Sequence, residues 1–416
     1  MSERDIDVVV LGATGVTGRR VAAYLAERAP AAGLTWAAAA RDQSKLASVL
    51  AEVGVTGAST IAADVADGDS LARLASSARV VLDLVGPYTL YGRPVIDACV
   101  SAGTHYVDLT GEIPFVRRMV DEFDAAAGAA GAKIVQVCGF EALPPDMSVR
   151  LAADTARERF GEELEGADLE AWVTGPPGLP RASDMISGGT LQSLVAVAGS
   201  DGADTISDPA ALIDDRAAAT AVRARSPIGL APHRGHQGDV IAPMAPAPFI
   251  NPAVIHRSGA LAGATPIRYR EGIALGGHAV TLPLRVAGAG ALTATQVALR
   301  GLARAGAGPR KRVAEVLGKA LPGSGFGPAA DRLDAWRWGM RTYARTTGGH
   351  ELVVTVDGEA HPGYLATARM IGEAGVLLAT AGATPDRFGC VTPSIALGTA
   401  SAPSFEHAGV RFGVSA

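Results

Sequence analysis

The stretch that decides the fold of the N-terminal region is VVVLGATGVTGRR, residues 8–20. An apolar, β-branched run ends at Leu11, and glycines follow at positions 12, 15 and 18 before an alanine-rich amphipathic segment begins. A strand that turns through closely spaced glycines into a helix presents backbone amides to a bound phosphate group. The stretch therefore predicts a strand, a phosphate-binding turn and a helix in succession.

Similar apolar runs alternate with helical patterns through the first third of the chain. We predict strands at residues 6–11, 34–40, 60–63, 80–84, 106–109 and 133–137. Helices are predicted between them at residues 15–29, 43–51, 68–75, 94–101 and 114–130. Continuous apolar strands joined by crossover helices form a parallel sheet covered on both faces. The predicted fold class is α/β, with a Rossmann-type doubly wound parallel sheet.

In this context the three glycines form a dinucleotide-binding fingerprint with G-x-x-G-x-x-G spacing. Gly12 permits a tight turn, Gly15 lets the backbone approach a pyrophosphate, and Gly18 lets the helix pack closely on the strand. Thr14 and Thr17 add hydroxyl donors nearby. The alternative is a glycine-rich turn without a ligand.

The end of the second predicted strand distinguishes between the two nicotinamide dinucleotides. An NAD site usually places Asp or Glu there to bind the ribose hydroxyls, whereas this chain places Arg41 there, followed by Ser44 and Lys45. A guanidinium suits a 2′-phosphate, so we predict NADP(H) as the cofactor, bound in part by Arg41 and Lys45. Asp42 weakens this prediction slightly, and the alternative is that the two cations are merely solvated.

Loops after the later strands supply further candidates, because ligands bind at the carboxyl edge of such sheets. Tyr88 and Tyr91 lie near the predicted nicotinamide or substrate position, or else pack under the following helix. The other candidates are Asp64 and Val65 near the adenine, Gly86 and Pro87 at the sheet edge, and Gly139 and Phe140 beside the nicotinamide.

Beyond residue 150 the pattern changes to that of an α+β domain. We predict a strand at residues 165–175, a helix at 187–199, a hairpin at 340–358 around Gly348 and Gly349, and a long helix from residue 361. The predicted domains are an NADP-binding domain at residues 1–150, an α+β substrate or dimerisation domain at 151–360, and a segment at 361–416 that returns to the first domain.

Composition excludes several classes of protein. The 416 residues carry a net charge of −5, so no basic surface for nucleic acid is expected. Cys99, Cys138 and Cys390 are far apart, and His233 and His236 lie in a glycine-broken loop, so neither a disulfide framework nor a metal site is predicted. The N-terminus lacks the pattern of a signal peptide, which favours the cytoplasm.

One uncharged run, residues 240–255, is apolar and interrupted by proline. Proline excludes it as a membrane-spanning helix. We expect instead an apolar loop that contacts an apolar ligand or a membrane surface. Contact with a membrane would place the protein peripherally at the inner membrane.

Catalytic candidates come from the polar residues near the predicted nicotinamide position. No tyrosine has the Y-x-x-x-K spacing of short-chain dehydrogenases, so that proton relay is not supported. The residues selected as catalytic candidates are Tyr88, Tyr91 and Glu141. Asp108 and Glu112 either take part in chemistry or cap the helix that begins near Pro114, and the latter is favoured. His105 is discounted because it precedes its strand, whereas Asp146 stays among the polar candidates.

Four motifs together resemble the saccharopine dehydrogenase-like oxidoreductases and, more narrowly, their trans-acting enoyl reductase branch. They are GATGVTGRRVA, ARDQSKL, LVGPYTLYGRPVIDACVSAGTHYVDLTGE and CGFEALPPDM, all within residues 6–150. The similarity resumes in HPGYLATARMIGEAG and VTPSIALG near the C-terminus. The resemblance implies an NADP-binding Rossmann domain, an inserted α+β domain and reduction of a double bond in a polyketide-derived lipid.

The resemblance also implies which residues contact the dinucleotide. Those positions are Gly12, Thr14, Gly15, Val16, Gly18, Arg41, Asp64, Val65, Gly86 and Pro87. Two positions depart from the family pattern, since Asp83 stands where relatives often have Asn, and Glu141 stands where Asp is usual.

Two classes of function follow. The first is an NADPH-dependent oxidoreductase, either an enoyl reductase for an apolar acyl substrate or a saccharopine-type amino-acid dehydrogenase that uses Arg181 and Arg257 to bind carboxylates. The second is a non-catalytic NADP-binding or scaffold protein. For either class the sequence allows a homodimer and contact with a carrier protein or a membrane.

Overall fold

The computed structural model describes residues 4–177, 197, 202–243, 245–275, 281–320 and 332–415. Its strands are β1 Ile6–Leu11, β2 Trp36–Ala40, β3 Ser59–Ala62, β4 Ala78–Asp83, β5 His105–Asp108, β6 Lys133–Val135, β7 Leu164–Thr174, β8 His233–Arg234, β9 Val240–Ala242, β10 Arg268–Ala274, β11 Arg337–Thr346, β12 Glu351–Glu359, β13 Gly389–Val391 and β14 Val410–Ser415.

The helices are α1 Gly18–Ala31, α2 Gln43–Glu52, α3 Gly68–Ser77, α4 Tyr88–Ala102, α5 Ile113–Ala130, α6 Leu143–Phe160, α7 Arg216–Arg225, α8 Asn251–Leu261, α9 Leu282–Arg304, α10 Ala307–Ala320, α11 Thr367–Ala379 and α12 Pro393–Leu397. Short 3₁₀ turns occupy Ala203–Ser207, Ala247–Phe249 and Thr399–Ala408, and a π-helical turn at Pro362–Ala366 precedes α11.

The first sheet confirms the predicted doubly wound fold. Its order is β13-β6-β5-β4-β1-β2-β3, and all its strands are parallel. The six predicted strands occur within two residues of their predicted bounds. Strand order reverses between β1 and β4, and such a reversal opens a ligand crevice at the carboxyl edge of the sheet.

Two helix starts differ from prediction. Helix α1 begins at Gly18 rather than at residue 15, because Gly15 N donates to Gly12 O (3.0 Å) in the preceding turn. Helix α4 begins at Tyr88, six residues before the predicted start, because a carboxylate from another loop binds its first amides.

The second sheet has the order β14-β12-β11-β7-β10-β9-β8. The predicted hairpin is confirmed, since β11 and β12 pair from Arg337 with Glu359 to Arg345 with Glu351. Strand β7 confirms the predicted strand near 165–175, but it pairs in parallel with β10, so the sheet is mixed. The predicted helix at 187–199 lies outside the described residues, apart from Val197.

The C-terminal segment contributes to both sheets. Helix α11 packs against α1 and the first sheet, and β13 extends that sheet beside β6. Strand β14 instead pairs with β12 of the second sheet. The expectation that the whole segment from residue 361 returns to the first domain is therefore wrong for its last strand, whereas the domain boundaries stay a prediction.

The apolar run at 240–255 is part of the core rather than an exposed loop. Ile241, Phe249 and Val254 are buried, because β9 joins the second sheet and α8 packs against α6. The expected exposed loop, and with it the contact of this run with a membrane surface, is thus contradicted. Within the described ranges, the helices are too short or too polar to traverse a bilayer.

Candidate active site

The glycine turn after β1 has the shape of a phosphate-binding cradle. Gly12 has φ +85°, and a Cβ there would lie 2.8 Å from Val85 Cγ2. A Cβ on Gly18 would overlap Gly12 O, so close packing of α1 on the turn excludes a side chain. Gly15 is exposed, and a Cβ there would lie 3.3 Å from Gly12 O. The turn therefore fits the pyrophosphate of a dinucleotide at the N-terminus of α1.

The end of β2 presents a cation whose charge is not neutralised locally. Asp42 caps α2, since its Oδ1 accepts a hydrogen bond from Lys45 N (2.9 Å). Arg41 is exposed and makes no hydrogen bond or ion pair with any residue that the structure describes. Because the nearby carboxylate is committed to the helix N-terminus, Arg41 can bind an anion such as a 2′-phosphate.

The remaining cofactor candidates follow the carboxyl ends of β3, β4 and β6. Asp64 Oδ1 accepts from Ala66 N (3.0 Å), which shapes the loop that contains Val65. The strand topology brings these loops to the edge that also carries the glycine turn and Arg41. The candidates at this edge are Gly12, Thr14, Gly15, Val16, Gly18, Arg41, Lys45, Asp64, Val65, Gly86, Pro87, Gly139 and Phe140.

A buried hydrogen-bond network lies beneath this edge. The hydroxyl oxygen of Tyr106 lies 3.1 Å from Asp83 Oδ2 and 3.0 Å from Asp108 Oδ2. One hydroxyl proton cannot serve two ionised carboxylates, so one carboxyl must itself be protonated. Burial raises the pKa of Asp83 to about 8 and that of Asp108 to about 7.

The proton belongs on Asp83, because Asp108 receives more hydrogen bonds. Asp108 Oδ1 accepts from the backbone amides of Thr110 and Val137, both at 3.0 Å, whereas Asp83 accepts one backbone amide, that of Val85. A protonated Asp83 donates a hydrogen bond to the Tyr106 hydroxyl, as the amide of an asparagine would. This explains how Asp can occupy a position where relatives often have Asn.

Glu112 caps a helix, but a different one from that expected. Its Oε1 accepts from Tyr88 N (3.0 Å) and its Oε2 from Thr89 N (2.7 Å), at the start of α4. The N-terminus of α5, which directly follows Glu112, receives no side-chain cap from it. Because Glu112 caps α4 from the loop after β5, α4 begins earlier than predicted and the Glu112 side chain is buried.

The two tyrosine candidates have different environments. The Tyr88 hydroxyl is buried and donates to Asp83 O (3.1 Å), and burial raises its pKa well above the ordinary value. Tyr91 is 42% exposed in the first turn of α4. The side chain of Tyr91 is thus accessible to solvent, unlike that of Tyr88.

Glu141 lies in the loop between β6 and α6. Its carboxyl is half-buried and makes no hydrogen bond with any residue in the described part of the chain, and burial raises its pKa to about 7. The charge of Glu141 contributes, after burial, to the raised pKa of Glu271 on β10. Glu271 Oε2 in turn accepts from Asn251 Nδ2 (2.7 Å) and Tyr269 OH (3.1 Å). Glu141 is therefore a carboxylic acid that can hold a proton near neutral pH.

An aromatic cluster that sequence reasoning missed borders this loop. Phe140 meets Trp338 edge-to-face, with ring centroids 4.8 Å apart. Trp336 contacts His361, whose ring also meets Tyr364. The Tyr364 ring lies 5.9 Å from the guanidinium of Arg20 in the first turn of α1. The signal was the Trp-Arg-Trp alternation at residues 336–338, since a period of two is typical of side chains on one face of a strand, although β11 itself begins at Arg337.

Several polar candidates serve the fold instead. Burial lowers the pKa of His105 to about 4, and its Nδ1 accepts from Lys133 N (3.1 Å). Asp146 accepts from Ser258 Oγ and Ser394 N. His236 is exposed, as expected of a loop histidine, and its ring stacks on Tyr343 with centroids 4.0 Å apart. Among the described residues, no cluster of potential metal ligands occurs.

Arg257, a candidate for binding substrate carboxylates, is buried and already bonded. Its Nη1 donates to Leu212 O (2.7 Å) and its Nη2 to Cys390 O (2.8 Å). The guanidinium therefore joins three segments of the chain and is not available to a substrate. Arg181 lies outside the described residues.

Comparisons with known proteins agree with this geometry. Residues 8–135 match the family model described as the saccharopine dehydrogenase NADP-binding domain, which confirms NADP(H) as the cofactor. A Mycobacterium tuberculosis protein, provisionally named a trans-acting enoyl reductase, is 32% identical over 98% of this chain and 97% of its own length. The trans-acting enoyl reductase of Mycobacterium leprae is 32% identical over 99% of this chain and 98% of its own length.

A solved structure shares the fold over the whole chain. Saccharopine dehydrogenase (L-Glu forming) from Saccharomyces cerevisiae aligns with a TM-score of 0.54 at 13% identity, over 99% of this chain and 100% of that one. The predicted fold class, a Rossmann-type parallel sheet with an inserted α+β domain, is thus confirmed, and the second sheet is mixed.

Proposed function

The chain belongs to the trans-acting enoyl reductase family, and we propose that it reduces an activated carbon–carbon double bond in the acyl chain of a lipid or polyketide. It is an NADP-dependent oxidoreductase. The observation that carries the proposal is Glu141, a carboxylic acid without a hydrogen bond in the described part of the chain, whose neighbour in sequence, Phe140, packs on Trp338.

The proposed reaction adds a hydride and a proton across the double bond. When bound, NADPH supplies the hydride to the β-carbon of the substrate. Glu141 holds a proton near neutral pH and transfers it to the α-carbon, where negative charge develops. Phe140 and Trp338 exclude water from the reacting carbons. Tyr88 has a structural role in this proposal, because its hydroxyl donates a hydrogen bond to the backbone carbonyl of Asp83. Tyr91 is proposed to contact the substrate.

Two alternatives are less well supported. A saccharopine-type substrate needs accessible cations for its carboxylates, and Arg257 is buried with both Nη groups bonded within the fold. If the protein were a non-catalytic NADP-binding scaffold, the raised pKa of Glu141 would have no function.

The test is NADPH oxidation with enoyl thioesters, with mass spectrometry of the product. Deuteride from labelled NADPH should appear at the β-carbon, and kcat should fall as pH rises above about 7, because Glu141 then loses its proton. Glu141→Gln should lower kcat roughly 10²–10⁴-fold without changing NADPH affinity. Glu158→Gln, on the exposed face of α6, is the matched control. Full activity of Glu141→Gln would refute its role, and NADPH binding without turnover of any enoyl thioester would favour the scaffold.

For a peripheral membrane contact, helices α9 and α10 are the better candidates. Residues 282–316 contain six Lys and Arg but one Glu, a net charge of +5, so the rest of the chain carries −10. Leu284 is 65% exposed on α9 and Val316 is 67% exposed on α10. Exposed aliphatic groups beside a net positive charge favour an anionic lipid surface.

Co-sedimentation with vesicles tests this contact. Binding to phosphatidylglycerol vesicles should exceed binding to phosphatidylcholine vesicles and fall in the Leu284→Asp variant. No binding to either would contradict it. A dimer in sedimentation analysis that the same substitution dissociates would instead make this face a homodimer contact, and loss of activity only on carrier-bound substrates would indicate a carrier-protein contact.

A further inference from the structure

A cavity of about 310 Å³ opens between helices α6, α7 and α8 and the segment 263–267. This volume lies at the lower end of the range for small-molecule pockets. Most of its wall is aliphatic, and the side chains that matter here are Val149, Ala153, Leu164, Ile213, Val222 and Ile255. The lining favours an apolar ligand over a charged one.

The cavity is separate from the dinucleotide edge. It runs along α6 from Asp146 to Arg157, a rise of about 16 Å at 1.5 Å per residue. The glycine turn, Arg41 and Gly86 do not line it. Its Asp146 end lies one helical turn beyond Leu143, where α6 leaves the Glu141 loop.

The charged groups at the cavity are already paired. Arg150 binds Asp154 (2.7 Å), and Glu163 accepts from Thr265 Oγ1 (2.5 Å). Asp215 caps α7 by accepting from Ala218 N (2.6 Å). A small ionic ligand would have to break these bonds, whereas an apolar chain would not.

One residue of the wall, His256, contains a buried polar atom without a partner in the described part of the chain. His256 is 4% exposed, and its Nε2 has no hydrogen bond within the described residues. Burial lowers the pKa of His256 to about 4, so the ring is neutral at pH 7. A neutral imidazole adds no charge to the wall, which again favours an apolar ligand.

We propose that this cavity binds an unbranched acyl chain of about ten carbons. At about 30 Å³ for each water-sized group, a size close to that of a methylene group, the 310 Å³ cavity has room for a chain of at least this length. The chain is either the tail of the reduced substrate or a separate fatty acid. Only the first of these two assignments, the substrate tail, rests on the proposed function.

Calorimetric titration with decanoic acid tests the cavity without any turnover. Ala153→Phe and Ala218→Phe fill it from opposite walls, and each should weaken decanoate binding at least tenfold. Ala126→Phe, on the exposed face of α5, is the matched control and should bind as the unaltered protein does. No decanoate binding, or equal binding by all four folded proteins, would overturn the proposal.

Kinetics then separate the two sources. If Ala153→Phe raises KM for decenoyl but not crotonyl thioesters, the cavity holds the substrate tail. If decanoate binding is lost and both KM values are unchanged, the cavity holds a separate fatty acid. Decanoate binding in a protein that reduces no enoyl thioester would retain the cavity and refute the proposed function alone.

Discussion

At the residue scale, cofactor choice depends on which charges the fold has already paired. Asp42 stands beside Arg41 and would repel a 2′-phosphate if its carboxylate were free. The carboxylate instead accepts from Lys45 N at the start of α2, where the helix dipole also favours negative charge. Arg41 is left as an exposed cation at the end of β2.

Replacement of Arg41 by alanine should therefore weaken NADPH selectively. We expect the Kd for NADPH to rise about 10–100-fold, the value of a charge-assisted hydrogen-bond pair, and the Kd for NADH to change less than about twofold. Fluorescence titration measures both constants. Arg73→Ala, at an exposed site on α3, is the control. Equal weakening of the two cofactors would contradict the assignment.

The Asp83 carboxyl makes stability depend on pH. Its pKa is raised to about 8 in the folded chain, from about 4 when unfolded, so the folded state holds the proton more tightly. The resulting stabilisation is fully present below about pH 4 and is lost as pH rises through about 8.

Asp83→Asn should remove this pH dependence, because an amide donates to Tyr106 without losing a proton. We expect the variant to be more stable than the unaltered chain at pH 8, by about 1–3 kcal/mol, with the difference shrinking toward pH 5. Thermal unfolding across this pH range measures the effect. A difference that stays constant with pH would show that Asp83 is ionised throughout.

At the element scale, helix limits depend on contacts that are distant in sequence. Local pattern places the start of α4 near Pro94, since proline suits the first turn of a helix. The observed start at Tyr88 depends on Glu112, which lies 24 residues along the chain and satisfies two amides of the first turn.

Glu112→Ala should accordingly destabilise the chain by about 1–3 kcal/mol, because two buried N–H groups lose their acceptor. Urea unfolding measures the change. Glu122→Ala removes a carboxylate from an exposed pair with Arg93 and should change stability by less than about 1 kcal/mol. Equal effects of the two substitutions would contradict the capping role.

At the scale of the whole molecule, the C-terminal segment holds the two sheets together. Helix α11 lies on the first sheet, where a Cβ on Gly375 would be 3.0 Å from Leu82 Cδ2. Glu373 of the same helix is fully buried and accepts from Arg28 Nε (2.8 Å) and Tyr24 OH (2.5 Å) of α1. The strand β14 that follows pairs with the second sheet.

Glu373→Ala should destabilise the chain by about 3–5 kcal/mol, since it leaves the Arg28 charge without its partner. Differential scanning calorimetry of the full-length variant measures the loss. Glu52→Ala, which removes the exposed partner of Arg19, is the control and should cost less than about 1 kcal/mol. A normal Tm for Glu373→Ala would mean that α11 docks through apolar packing alone.

The sequence by itself determined the features that follow from local periodicity and backbone geometry. The six strands of the first domain, the turn that needs Gly12 and Gly18, and the hairpin of β11 and β12 are properties of neighbouring residues. For such features the interacting groups are close along the chain, so their residue types report the conformation directly.

Only the tertiary structure decided the features that join distant residues. It assigned Glu112 to α4, placed the proton on Asp83, engaged Arg257 in the fold, buried the run at 240–255 and put the aromatic cluster beside Glu141. The physical reason is that pKa values, burial and hydrogen-bond partners depend on which atoms lie within a few ångströms, and here those atoms come from residues tens to hundreds of positions apart.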